Sequence, residues 1–160
     1  MFSSSFRGVN AYAQVGLETR IAAASPHQLI TMLFEGAMTA ITHAMQQMSE
    51  GDIPAKGKSI SHALSIIESG LRGGLDDNKG GEVTANLDAL YVCMEQRLLQ
   101  ANLENNQEKL KEVYRLLSEI KTAWESIDPC QPPPLSDEHS EPPMTGSSLP
   151  LMQRFAEITV

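Results

Sequence analysis

The sequence predicts an all-α fold, an antiparallel four-helix bundle with an N-terminal arm and a disordered C-terminal tail. Three observations predict it. The apolar residues are mostly Leu, Ile, Ala and Met, and aromatics make up only 5% of the 160 residues, a mix that helices select and pleated sheets do not. Between residues 25 and 127 apolar side chains recur every three or four positions in four stretches separated by short polar or Gly-rich turns. From Pro129 onward the periodicity stops, and seven of the nine prolines stand there among Ser, Asp, Glu and Gly. The expected organisation is an arm at 1–24, a bundle at 25–127 and a Pro-rich, mostly disordered tail at 128–160.

The arm contains Ser3, Ser4, Ser5 and Gly8, which discourage regular structure, and Val9, Tyr12, Val15 and Leu17, which give it apolar handholds on the body of the domain. The first helix starts at Ser25-Pro26-His27-Gln28. Ser25 and Gln28 have the spacing of a capping box, and Pro26 occupies the first helical position, where its missing donor costs nothing. Leu29, Leu33, Ala37, Ile41, Ala44 and Met48 then mark one face, and Gly51 stops it. A second helix is expected over about 55–75, with Ile60, Leu64, Ile67 and Leu71 inward and Gly70, Gly73 and Gly74 weakening its end. After the turn from Asp76 to Gly81, a third helix starts near Glu82, whose charge suits a helix N-terminus, and carries Leu87, Leu90, Met94, Leu98 and Ala101. The fourth runs from about Gln107 to Ile127 with Leu110, Val113, Leu117, Ile120 and Trp124 inward, and Asp128-Pro129 ends it. Four such helices joined by short loops pack most simply as an antiparallel bundle.

In the tail, Leu149 to Val160 regains helical spacing through Leu151, Phe155 and Ile158, which suits either a short docking helix or a frayed end, since about twelve residues are marginal as a helix alone.

Charge and chemistry exclude most activities. Residues 1–127 carry fifteen acids and eleven bases, net −4, and residues 128–160 carry five acids and one base, again −4. No basic stripe tracks a phosphate backbone, so neither nucleic acid nor membrane insertion is expected. Cys93 and Cys130 fit no metal or disulfide spacing, and the start MFSSSFRGVN lacks the apolar core of a signal peptide. A cytoplasmic protein without metal or cofactor is the expectation. The carboxylates lie opposite the apolar stripes, no two of His27, His43, His62 and His139 share a metal-binding spacing, and His27 reads as a first-turn surface residue. A bundle with an exposed His62 resembles a histidine phosphotransfer module, but such modules usually place a Lys three residues on, where this chain has Ser65.

The apolar stripes are wide, with Ile30, Met38, Met45, Ile66, Tyr91, Leu99 and Leu116 flanking the main series. Such width serves a thicker core, an oligomer interface or a groove for a partner helix, and periodicity alone favours the core and the groove equally.

Three strings go further. NAYAQVGLETRIAAASPHQLITMLFEGA (10–37), KGGEVTANLDALYVCMEQRLLQANLENN (79–106) and LLSEIKTAWESI (116–127) stand in order, and together they resemble the FliS family of flagellin export chaperones from about residue 8 to 127. The resemblance implies a non-catalytic cytoplasmic chaperone. Such a chaperone binds the C-terminal segment of flagellin as it folds into helices, blocks premature polymerisation, and reaches the flagellar type III export gate as a chaperone–client complex. On this resemblance Val9 and Tyr12 are expected to lie over the groove, and Leu33, Ile67, Leu71, Leu90, Tyr91 and Met94 to line it. Two departures stand out: Cys93 takes a place where the family often has a second aromatic, and the tail beyond Pro129 is longer than usual. Leu149 to Val160 is expected to occupy the groove until client arrives.

Overall fold

The computed structural model describes residues 3–127, with the side chains of 3–10, Tyr12 and Asp77 outside the description. The expectations for the tail at 128–160, Cys130 and His139 included, fall outside the described residues. Every element within them is helical: α1 Ser3–Ala23, α2 Pro26–Glu50, α3 Ile53–Ser65 continued by a π-helical stretch Ile66–Arg72, α4 Asp77–Glu104 and α5 Gln107–Ser126.

The arm differs from its expected irregular form. Residues 3–23 form a continuous helix, since Ala11, Ala13, Leu17, Glu18, Arg20, Ala22 and Ala23 are good helix formers and outweigh three serines and two glycines. Its described side chains do not settle on the bundle. Val15, Leu17 and Ile21 are 58%, 48% and 47% exposed.

Local chemistry sets the remaining boundaries. Ser25 Oγ accepts from the Gln28 N–H at 3.2 Å and Gln28 Oε1 accepts from the Ser25 N–H at 2.9 Å, closing the capping box at the start of α2. Gly51 ends α2 in the left-handed conformation, φ 75°. Asp52 caps α3 by accepting from the Ala55 N–H at 3.1 Å, and Asn106 caps α5 by accepting from the N–H groups of Glu108 and Lys109. In α4 the first turn is set off from the rest by Gly81 (φ 52°, ψ −130°), so the uninterrupted helix starts at Glu82, and Asn105 closes it in the left-handed region.

The helices after α1 form a ring: α2 packs against α3 and α5, and α4 packs against α5 and α3 with its π-helical continuation. Consecutive helices are thus neighbours, as short connections require of an up-and-down bundle. The core runs through Phe34, Ala37, Ala40, Ile41 and Ala44 of α2, Ile60, Ala63, Ile67 and Leu71, then Tyr91, Met94, Leu98 and Ala101 of α4 and Leu110, Val113 and Leu117 of α5. The centre of the α2 stripe passes through Phe34 rather than Leu33, which stands at its flank. Each large side chain fully removed from water contributes roughly 1.5–3 kcal/mol before ordering costs.

Candidate partner-binding surface

Six of the residues expected to meet a partner have described side chains, and the topology gathers them around one seam. The π-helical stretch packs against both α2 and α4. It brings Ile67 and Leu71 to the same core cluster as Tyr91 and Met94, with Leu33 and Leu90 packed against that cluster. The six differ in access. Ile67 and Met94 are completely buried, Leu71 and Tyr91 are 3% exposed, and Leu33 and Leu90 are half-buried at the rim. Val9 and Tyr12 lie on the backbone of α1, and their side chains are outside the described residues.

Close packing fixes this seam. A Cβ built on Gly70 would stand 2.9 Å from Leu33 Cδ2, so the glycine is what lets α2 approach the π-helical stretch. Burial pushes the Tyr91 phenol up to about 12, because its ionised form is poorly solvated there. At the end of the seam the Arg72 guanidinium holds Asp88 at 2.7 Å and Glu95 at 3.3 Å. The hydrogen bond to Asp88, with the charge of Glu95 added, raises the Arg72 pKa.

Two other constellations were not legible as such in the sequence. His27 is no plain surface residue: it is half-buried and stacks on Trp124 with ring centroids 4.8 Å apart and planes 13° from parallel. Trp124 Nε1–H donates to the His27 carbonyl at 3.1 Å, and His27 Nε2 lies 2.9 Å from the Trp124 carbonyl. A carbonyl only accepts, so Nε2 carries a proton. The pair clasps the start of α2 to the end of α5. Lys56 is 2% exposed. Its ammonium donates to the Asn102 carbonyl at 3.0 Å and to the Asn105 side-chain carbonyl, binding the first turns of α3 to the carbonyl end of α4, where positive charge is favoured.

Open hollows lie on the surface of the described residues. One of about 420 Å³ lies between Arg20, Ala23 and Ala24 and the first turns of α2, and one of about 340 Å³ lies between α2 and α5 beside Met38, Tyr114 and Lys121. Neither is lined by any of the eight residues expected to meet a partner, although Met38, one of the flanking apolar positions, borders the second. Of the flanking apolar positions, Ile30, Met38, Met45, Ile66 and Leu116 pack against the core, whereas Leu99 is 51% exposed. Cys93 is exposed, a free thiol on the outside of α4. Among the described residues no three His, Cys, Asp or Glu side chains are grouped to hold a metal ion, and no helix is long and apolar enough to cross a membrane.

The family model for flagellar protein FliS matches residues 8–131. This chain belongs to the FliS family. The flagellar secretion chaperone FliS of Salmonella typhimurium is 51% identical over 122 residues, covering 76% of this chain and 90% of that protein. The FliS of Escherichia coli is 46% identical over 118 residues, covering 74% and 87%, and that of Bacillus subtilis 32% over 114 residues, covering 71% and 80%. As a member of the FliS family the chain is a flagellar secretion chaperone, and its work is binding rather than catalysis. The family match includes α1 from residue 8 onward and the whole bundle, so the seam around the π-helical stretch lies inside the shared part.

Proposed function

We propose that this FliS-family chain is a cytoplasmic export chaperone that holds the C-terminal helical segment of flagellin, prevents its premature polymerisation and carries it as a complex to the flagellar type III export gate. The observation that carries the reading is 51% identity to a flagellar secretion chaperone across 90% of that protein's length. Residues 25–127 act as the chaperone domain, with the arm at 1–24 and the tail at 128–160 as its flanks.

The chemistry of the seam supports the same reading. A client segment that folds as it binds must bury enough apolar area to offset the entropy of ordering it. Leu33 and Leu90 are half-buried rim residues, accessible to a client without disturbing the core. Ile67, Leu71, Tyr91 and Met94 belong to the buried cluster against which these two pack and form the proposed floor, and Val9 and Tyr12 complete the proposed lining from α1. A mixed rim and apolar floor suits a helix laid into a groove.

Titration of a synthetic flagellin C-terminal peptide into Leu33→Asp and Leu90→Asp variants tests the lining. Each is expected to weaken binding by about tenfold or more, whereas Leu103→Asp, on a residue 84% exposed, is expected to bind as the parent does. Folded Leu33→Asp and Leu90→Asp variants with unchanged affinity would refute it. Sedimentation with whole flagellin tests the function itself: a stoichiometric complex is expected, and a chain that ignores flagellin would be no flagellin chaperone.

A further inference from the structure

The C-terminal end of α3 departs from α-helical geometry where it meets both α2 and α4. Over Ile66–Arg72 the helix widens into a π turn, and the Gly73 N–H donates five residues back to the Glu68 carbonyl at 3.0 Å. A π turn holds one residue more than the α turn it replaces and is uncommon unless its surroundings favour it. Two contacts favour it here. Leu33 sits against the bare Cα of Gly70, and Arg72 is ion-paired to Asp88 and Glu95 of α4. Glycine is part of the device, because a Cβ at Gly73 would stand 2.5 Å from the Ser69 carbonyl oxygen. In an ordinary α-helix alanine is preferred to glycine at any interior position.

We infer that this π turn is a latched register switch. Slippage of one residue, from π to α, rotates the side chains at the C-terminal end of the turn by up to about 100° around the helix axis. Leu71, now 3% exposed, turns outward from the core, and Arg72 leaves Asp88 and Glu95. The same segment thus has two packings: closed, with Leu71 inside and Arg72 paired, and open, with Leu71 offered to a helical partner. The inference rests on the reading that a flagellin segment docks along this seam, and it adds how the floor beneath Leu33 and Leu90 becomes available. A partner that binds the open packing selects it, so the closed latch lowers the apparent affinity. The latch is weak enough to be undone by a partner, since Arg72 and Asp88 are both in contact with water, at 30% and 44% exposure of their side chains.

Backbone hydrogen exchange and titration of a synthetic flagellin C-terminal peptide, on the full chain, test this together. Arg72→Gln is expected to speed exchange across residues 66–74 and not in α5, and to tighten peptide binding by up to about fivefold. Asp88→Asn serves as the second variant if the first does not fold, and Gly73→Ala, which disfavours the π turn, is expected to act in the same direction. Exchange in 66–74 that ignores loss of the ion pair overturns the switch, as does faster exchange with peptide affinity unchanged or weakened. A parent chain that binds no peptide at all sinks the client reading instead, and the exchange measurement then decides alone whether Arg72 latches the turn.

Discussion

Lys56 stands on the first turns of α3 with its ammonium drawn into the carbonyl end of α4. Both acceptors are amide oxygens, so a full positive charge is stabilised by hydrogen bonds and the helix dipole rather than by a counter-ion. Lys56→Ala is expected to cost about 1.5–3 kcal/mol in urea unfolding, the worth of hydrogen bonds to a charged group. Lys58→Ala, on an exposed neighbour, is expected to stay within about 0.5 kcal/mol. Tyr91 gives a prediction in pH. Its phenol ionises near 10 when unfolded and about 12 in the bundle, so the folded state keeps a proton that the unfolded chain has released. Stability held by the neutral phenol is complete below pH 10 and is lost as pH rises from 10 toward 12. The loss amounts to about 2 kcal/mol. Chemical denaturation at pH 9 and pH 11.5 is expected to show that decline in the parent and a smaller one in Tyr91→Phe. Single residues were also where sequence reading stopped soonest. The spacing of Lys56 and Arg72 says only that they are polar, and His27 reads as surface because its partner Trp124 is 97 positions away.

Among the elements, α2 and α5 were the most legible, because capping residues and apolar period agree: Ser25, Gln28 and Gly51 fix the ends of α2, and Leu110, Val113 and Leu117 form the buried line of α5. The π turn was not legible. Gly70, Gly73 and Gly74 announce a weak helix end, but whether a chain frays, stops or widens there depends on Leu33 and Arg72 finding partners on other helices. The helicity of α1 was hidden for a related reason, since its serines and glycines lower helix propensity while its alanines raise it. Ser25→Ala removes one half of the capping box and is expected to cost about 1 kcal/mol, read as a lower unfolding midpoint. Trp124→Phe keeps a ring to stack but loses the donor to the His27 carbonyl. Faster hydrogen exchange confined to the first turns of α2 and the last turn of α5 is expected.

For the whole molecule, stability belongs to the four-helix ring. Leu117→Ala, at a completely buried site, is expected to cost about 2–5 kcal/mol, the range for emptying a core leucine. The described side chains of α1 are exposed, so a chain starting at Ala24 is expected to unfold at nearly the same denaturant midpoint. Its fold class follows from period and composition because helix-to-neighbour packing is what short loops impose. Access to the seam does not follow from them: period places Leu33, Ile67, Leu71, Leu90 and Met94 on inward faces alike, and only the packing separates a half-buried rim from a closed floor.

The clasp between His27 and Trp124 also makes the protein its own optical probe. The chain has a single tryptophan, and that indole is stacked on His27 where α2 begins and α5 ends. All tryptophan emission therefore originates at one known place, half-shielded by an imidazole face. Parting those two helix ends lets water reach the excited ring and shifts its emission to longer wavelength, so the state of that end can be followed in an unlabelled sample.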